Sequence, residues 1–255
     1  MNLYISFRTE LLKISRSYTW LLTLVLAATV PLIMITAFDP DSASASNLKL
    51  LKGDPWNHFF AQAQVPLSIV FLPLFILLIC TLLPQIEYRN NTWKQVLTSP
   101  QPLEQIYFSK FLLVQFLILN FLIAYLFLTG LSGLIVSFIY PAFKFFDYDL
   151  NLKKVLVSTL QTYVSVLAIS AFLFWIGMRF KSFIIPIALG MFFWFVTALL
   201  LFEYHWQHTD KFPFAFPLLL PFPKYESAVP FILWCSGGYT VFFLLVGILD
   251  FKYRN

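Results

Sequence analysis

The sequence predicts an all-α integral membrane protein with six transmembrane helices. Of its 255 residues, 60% are hydrophobic, only 11% are charged and 31 are phenylalanine. A soluble domain of this length cannot bury so much apolar surface around one core. A hydrocarbon layer of roughly 30 Å needs about 20 apolar residues of helix. Six such runs are separated by polar or proline-rich breaks: Tyr18–Phe38, Val65–Ile86, Phe111–Phe138, Val155–Met178, Phe183–Phe202 and Pro230–Leu249.

The distribution of charge predicts that both termini lie inside the cell. The formal charge is +5, but the basic residues are divided among the loops rather than gathered in a patch, which argues against nucleic-acid binding. With both termini inside, the inner segments carry ten basic and four acidic residues, and the outer segments carry seven and eight. This bias favours an N-in, C-in topology. The first span is full length and lacks a cleavage pattern, so we expect it to remain as a membrane helix.

Residues 1–17 are predicted to form an amphipathic helix at the membrane interface. Apolar residues recur at helical spacing, and charged residues occupy other faces of the same pattern. The segment is interpreted either as a basic anchor that sets orientation or as a surface helix that also touches a cytosolic partner. The residues of interest are Phe7, Glu10, Lys13 and Arg16.

Residues 87–110 are polar and lie between the second and third spans, on the basic side. A charged segment that can form a helix cannot sit in hydrocarbon, so we expect it at the cytoplasmic surface, where another protein could push on it. An ordinary solvated loop is the alternative.

The interiors of the spans lack ionisable side chains. The polar residues there are hydroxyl residues and three amides, Gln115, Asn120 and Gln161. Ion-coupled carriers usually keep an ionisable group near the middle of the membrane, so a self-powered secondary transporter is disfavoured. The three amides could line a path for an amphipathic substrate, or they could simply form hydrogen bonds between helices.

Enzymatic signatures are scarce: the sequence has no His-Glu-x-x-His, no Gly-x-Ser-x-Gly and no Walker-type nucleotide motif, so any ATP must be hydrolysed by another chain. Glu203, His205, His208 and Asp210 cluster after the fifth span. These residues could form a metal site, but the preferred interpretation is that they lie at the membrane–water interface at the end of the span, and no metal is predicted. The two cysteines, at different depths in the membrane, are expected to pack as ordinary side chains rather than form a disulfide.

Residues 203–229 contain four prolines among Phe and Leu. Their apolar stretch is too short to cross the bilayer and is typical of short re-entrant or surface-lying pieces, either as a lid over an exit route or as interfacial packing. No repeat or low-complexity tract suggests a second domain, so residues 1–255 are predicted to form one transmembrane domain.

The order of these elements resembles that of type 2 ATP-binding-cassette (ABC-2) permeases. The resemblance rests on the amphipathic start with Glu10–Arg16, the six spans, Glu87 and Thr92 after the second span, and Pro100 before Lys110. In size and loop pattern the chain is most similar to bacterial exporter permeases of lantibiotic immunity and bacitracin resistance.

The resemblance implies that residues 87–110 contain a coupling helix that docks on a cytosolic ABC ATPase. Family members commonly carry Gly just before the Thr of this segment, whereas Asn91 stands here. The contributing residues would be Glu87, Arg89, Thr92, Trp93 and Lys94.

The same resemblance implies the rest of the assembly. Two permease chains, identical or paralogous, would pair through their first and fifth spans among the lipids of the bacterial cytoplasmic membrane. Each would carry one ATPase subunit, which binds the ATP and Mg²⁺, so this chain would need no cofactor. The cargo would be an amphipathic antimicrobial peptide, a lipid or a similar molecule, moved outward. The rival interpretations are a polytopic lipid-modifying enzyme and a membrane scaffold subunit that transports nothing.

Overall fold

The computed structural model describes residues 3–14, 17–37, 54–89, 101–206 and 208–254. Within these ranges the chain is helical, and six helices are long and apolar enough to cross a membrane, which confirms the predicted fold class. The helices in chain order are α1 (Leu3–Ile14), α2 (Thr19–Ala37), α3 (Pro55–Pro66), α4 (Leu72–Arg89), α5 (Leu103–Ile139), α6 (Leu152–Arg179), α7 (Ile184–Phe202), α8 (Phe216–Leu219) and α9 (Val229–Arg254).

The second span is longer than the sequence predicted. The span was predicted to begin at Val65, but α3 continues through a π-helical turn, Leu67–Phe71, into α4, and the whole span covers Pro55–Tyr88. Its start is fixed by Asp54, whose carboxylate accepts a hydrogen bond from the backbone N–H of Asn57 at 3.2 Å. Pro66 falls where α-helical bonding gives way to the π turn, so its missing N–H does not end the span.

The third span is a single helix of 37 residues, α5, and it begins at Leu103 rather than at the predicted Phe111. At about 1.5 Å per residue it is roughly 55 Å long, well beyond a hydrocarbon core of about 30 Å. Segment 87–110 is therefore divided: its first residues end α4, its last ones begin α5, and residues 90–100 lie outside the described ranges.

Small residues bring the helices close together. A Cβ atom at Gly133 of α5 would lie 2.7 Å from the Trp56 ring, so this glycine serves a close contact. Ser236 of α9 lies against α6, and its hydroxyl donates to the carbonyl oxygen of Val164 at 2.6 Å. A Cβ at Gly247 of α9 would lie only 2.0 Å from the hydroxyl oxygen of Tyr107 on α5.

Residues 213–219, here called the proline wedge, fold into the bundle from the end opposite α1 and reach the middle of α7. They form a 3₁₀ turn, Pro213–Ala215, followed by α8, and all seven are buried. Phe214 packs edge-on against Phe172 of α6, with ring centroids 5.7 Å apart, and also contacts Phe193 of α7 at 5.5 Å. The wedge thus fills the space between α6, α7 and α9.

Candidate functional site

A closed ring of four ion pairs joins α1, α4 and α5 at one end of the bundle. The Lys110 ammonium lies 2.6 Å from Oε1 of Glu87 and 3.0 Å from Oε2 of Glu10. The Lys13 ammonium lies 2.9 Å from the same Glu87 oxygen and 2.6 Å from Oε1 of Glu10. Each cation therefore bridges both carboxylates, and the ring has no net charge.

Most of this ring is shielded from solvent. The side-chain exposure is 3% for Glu87, 6% for Lys110, 10% for Glu10 and 38% for Lys13. Charges removed from water are tolerated only when they are paired and hydrogen-bonded. Among the described residues, Oε2 of Glu87 has no hydrogen-bond partner. The negative charge of this carboxylate is therefore balanced by the two lysines that bond to its other oxygen, Oε1.

One face of α1 packs against the bundle. It carries Ser6, Glu10 and Ile14, which are spaced four residues apart and are all buried. The Ser6 hydroxyl donates to the amide oxygen of Gln101, just before α5, at 3.2 Å. Phe7 is partly buried and packs edge-on against Phe116 of α5, with centroids 5.9 Å apart.

The opposite face of α1 is exposed, with Tyr4 and Leu12 71% and 61% accessible and the exposed Arg8 between them. The sequence predicted an amphipathic helix here, with Glu10 and Lys13 on the faces away from the apolar residues. In the structure Glu10 turns toward the protein because Lys110 lies there to pair with it. Tyr4, Ile5 and Leu12 instead form an outward surface suited to lipid contact.

The neighbouring charges shift the pKa values of the two α1 groups. Burial alone would raise the pKa of the Glu10 carboxyl, but Lys110 and Lys13 together lower it below its ordinary value. Burial would likewise lower the pKa of the Lys13 ammonium, but the carboxylates of Glu10 and Glu87 raise it. Both groups are held in their charged forms.

The remaining predicted coupling residues are placed as follows. Glu87 is buried in the ring, and Arg89 is the last residue of α4. The other coupling residues, Thr92, Trp93 and Lys94, lie outside the described ranges, as does Arg16 of the predicted interface helix.

The three amides predicted to line a path make different contacts. Gln115 of α5 is buried, and its Nε2 donates to the Ser170 hydroxyl of α6 at 3.0 Å. Asn120 donates to the Phe116 carbonyl of its own helix at 2.8 Å. Gln161 lies half-buried on α6. Gln115 thus ties two spans together, whereas Asn120 satisfies itself locally.

The Glu203–Asp210 region does not gather its side chains into one cluster. His205 has a positive φ of 46°, and its Nδ1 lies 3.1 Å from the Leu201 carbonyl oxygen. The His208 ring packs edge-on against Trp206, with centroids 5.8 Å apart. No group of three or more His, Cys, Asp or Glu suited to a metal ion occurs within the part of the chain that the structure describes. Cys80 and Cys235 are free thiols, the first buried and the second half-buried.

A second polar group at the α1 end was not predicted. Asp250 of α9 accepts hydrogen bonds from Trp175 at 3.1 Å and from Arg179 at 2.9 Å, both on α6. Lys252 of α9 pairs with Glu104 in the first turn of α5, and this pair is exposed. The last turns of α6 and α9 are therefore joined to each other and to the start of α5. In the sequence, the only indication of this polar group was that charged residues are frequent at the ends of these helices.

Three of the spans are little buried by the rest of the chain. In their most apolar stretches α2 is 28% buried, α7 22% and the last span, which contains α9, 28%, against 56% for the second span. Large apolar side chains cover the outer faces of α2 and α7, including Leu21, Leu24, Leu32, Ile33, Ile184, Phe192 and Phe195. In a membrane these faces meet lipid or another subunit.

Comparison with known proteins identifies one family. The model of a family described as ABC-2 family transporter protein matches residues 6–197, from within α1 to within α7. No curated protein matches the chain.

Proposed function

Because the chain belongs to the ABC-2 transporter family, we propose that it is the membrane permease of an ATP-driven exporter that moves an amphipathic or hydrophobic substrate outward across the bacterial cytoplasmic membrane. The family membership and the six apolar helices make the chain a multi-pass permease component of an ABC transporter. The direction and the cargo belong to the proposal.

The source of energy in this proposal is a separate cytosolic ATPase. The chain carries no Walker-type motif. The charged groups of the ring lie at one end of the bundle and already compensate one another. These features are consistent with a separate ATPase that binds ATP and Mg²⁺ outside the membrane and drives transport by displacing this end of the permease.

The observation that carries the proposal is the convergence of α1, α4 and α5 around one connection. Residues 90–100 follow α4 and precede α5, and the ring of ion pairs lies at the base of both helices. A force applied to this connection reaches two membrane spans at once. In our proposal Arg89, Thr92, Trp93 and Lys94 contact the ATPase, and Glu87 anchors the base of the segment.

The substrate path and the pairing of two permeases form the second part of the proposal. The weakly buried faces of α2 and α7, the first and fifth spans, suit contact with a second copy or a paralogue. The last span is as little buried as α2, and the choice of the first and fifth spans follows the family resemblance. A route without fixed charges suits a lipid or an amphipathic antimicrobial peptide, and Gln115, Asn120 and Gln161 would supply its polar contacts.

The test begins with purification of the chain together with its native neighbours, followed by mass spectrometry for a Walker-containing ATPase. The complex is then reconstituted in lipid vesicles, and ATP-dependent movement of a fluorescent lipid and of a cationic amphipathic peptide is measured. We expect transport that needs ATP and Mg²⁺.

The double variant Glu87→Ala/Trp93→Ala should lose ATPase association or transport, whereas Glu226→Ala, in the turn Pro223–Ala228 at the opposite end, should retain both. Activity of the chain on lipids without ATP would favour a lipid-modifying enzyme. A stable partner without nucleotide-dependent transport would favour a scaffold.

A further inference from the structure

We infer that Lys110 locks α1 to the ends of α4 and α5, so that these three helices move as one body during transport. This inference rests on the proposed function and deepens it. It assigns a positioning role to a residue that lies inside α5, seven residues and roughly 10 Å beyond the start of the helix, rather than on the surface that would face an ATPase.

The contacts of Lys110 single it out as the centre of this lock. Its ammonium bonds to Glu10, which is 100 residues away in the sequence, and to Glu87, which is 23 residues away. An ammonium offers three donors, so one lysine can hold carboxylates from two different helices. Lys13 closes the ring from the more exposed side and is the only member with substantial access to solvent.

Burial makes the lock resist separation. If α1 moved away from α4 and α5, the Lys110 and Glu87 charges would lose partners in a place where water cannot readily replace them. The contact between Ser6 and Gln101 and the packing of Phe7 on Phe116 hold α1 at further points on the same face. Rotation of α1 about the ring is therefore opposed as well.

The consequence for transport follows from the length of α5. A displacement of residues 90–100 passes into a helix that runs without interruption to Ile139, where Gly133 contacts Trp56 of α3. With the lock intact, α4 and α5 cannot hinge separately at their bases, so the movement reaches the opposite end of the bundle. Without the lock, part of the movement is lost as relative motion of α1, α4 and α5.

The test compares two neutral double variants in the reconstituted complex with its ATPase. Glu10→Gln/Lys110→Met removes opposite charges from the lock, including every contact that α5 makes to it, and leaves the Lys13–Glu87 pair. Glu104→Gln/Lys252→Met removes an exposed ion pair at the same end of the bundle and serves as the matched control. The measurements are the amount of ATPase that co-purifies, the rate of ATP hydrolysis and the number of substrate molecules moved per ATP.

We expect the lock variant to keep ATPase binding and hydrolysis within about twofold of the wild type and to lose at least tenfold in transport per ATP, and the control to keep all three. Transport per ATP within twofold of the wild type would overturn the inference. Loss of the ATPase from the complex would also overturn it, since the role would then be docking. Absence of ATP-dependent transport in the wild type would instead refute the proposed function and the inference with it.

A second measurement needs no change in the ring. Cysteines are placed at Ser6 and Gln101 in a Cys235→Ser background, and their cross-linking by a short bis-maleimide is followed with and without ATP and vanadate. If the three helices move as one body, the cross-linking rate is the same within about twofold in both states. A rate that changes tenfold with nucleotide means that α1 moves relative to α5, and the inference is then wrong.

Discussion

Replacing Lys110 by methionine removes the cation between Glu10 and Glu87 and keeps a side chain of similar length. The two carboxylates are then left to share Lys13, whose side chain is 38% exposed. Breaking a buried ion pair by removing one partner typically costs about 3–5 kcal/mol. For a domain of this size about 1 kcal/mol lowers the melting temperature by about 2–4 °C, so the expected drop is about 6–20 °C.

The companion variant Glu87→Gln/Lys110→Met separates charge from packing. It removes opposite charges together and leaves the Glu10–Lys13 pair neutral overall, so it should be destabilised less than Lys110→Met. The assay is thermal unfolding followed by tryptophan fluorescence, with all variants in the same detergent at neutral pH. The reasoning is refuted if Lys110→Met melts within about 2 °C of the wild type, or if the double variant melts below the single one.

Three further predictions concern packing, pH and thiol access. Gly247→Ala should cost about 1–3 kcal/mol in thermal unfolding, because its new methyl would meet a buried phenol, whereas Gly238→Ala on the same helix has open space and should be nearly neutral. The folded-state pKa of Glu10 lies below its ordinary value of 4.5, so its contribution to stability is present above that pH and is lost as the pH falls through the lowered pKa. The melting temperature of Glu10→Gln should therefore fall less than that of the wild type on acidification. A maleimide should label Cys235 in the folded protein and reach Cys80 only after unfolding; equal labelling of the two would contradict the packing.

The six spans could be predicted because their signal is local. Length and apolar composition identify each span without knowledge of its neighbours. The boundaries were less accurate where a polar residue continues a helix. Gln64 was left just outside the second span, but its side chain donates to the Thr162 hydroxyl of α6 at 2.6 Å and so lies inside the bundle.

The ring of ion pairs could not be predicted from local pattern. A lysine in an apolar run usually marks the end of a span, so Lys110 was assigned to the polar segment before the third span. Its burial depends on two carboxylates that only the tertiary fold brings within 3.0 Å. The sequence did point to Glu10, Lys13 and Glu87 individually, as members of an interface helix and of a coupling segment, but it gave no reason to join them.

The proline wedge alters how variation in this protein should be interpreted. A stretch between two spans is ordinarily where epitope tags are inserted and where mutational scans find tolerance. Residues 213–219 are all buried, like residues of a hydrophobic core. A mutational scan across them should therefore find that polar and charged replacements are depleted. Reporter insertions for topology mapping would disrupt this protein if placed there, and the exposed turn Pro223–Ala228 is the better site at the same end.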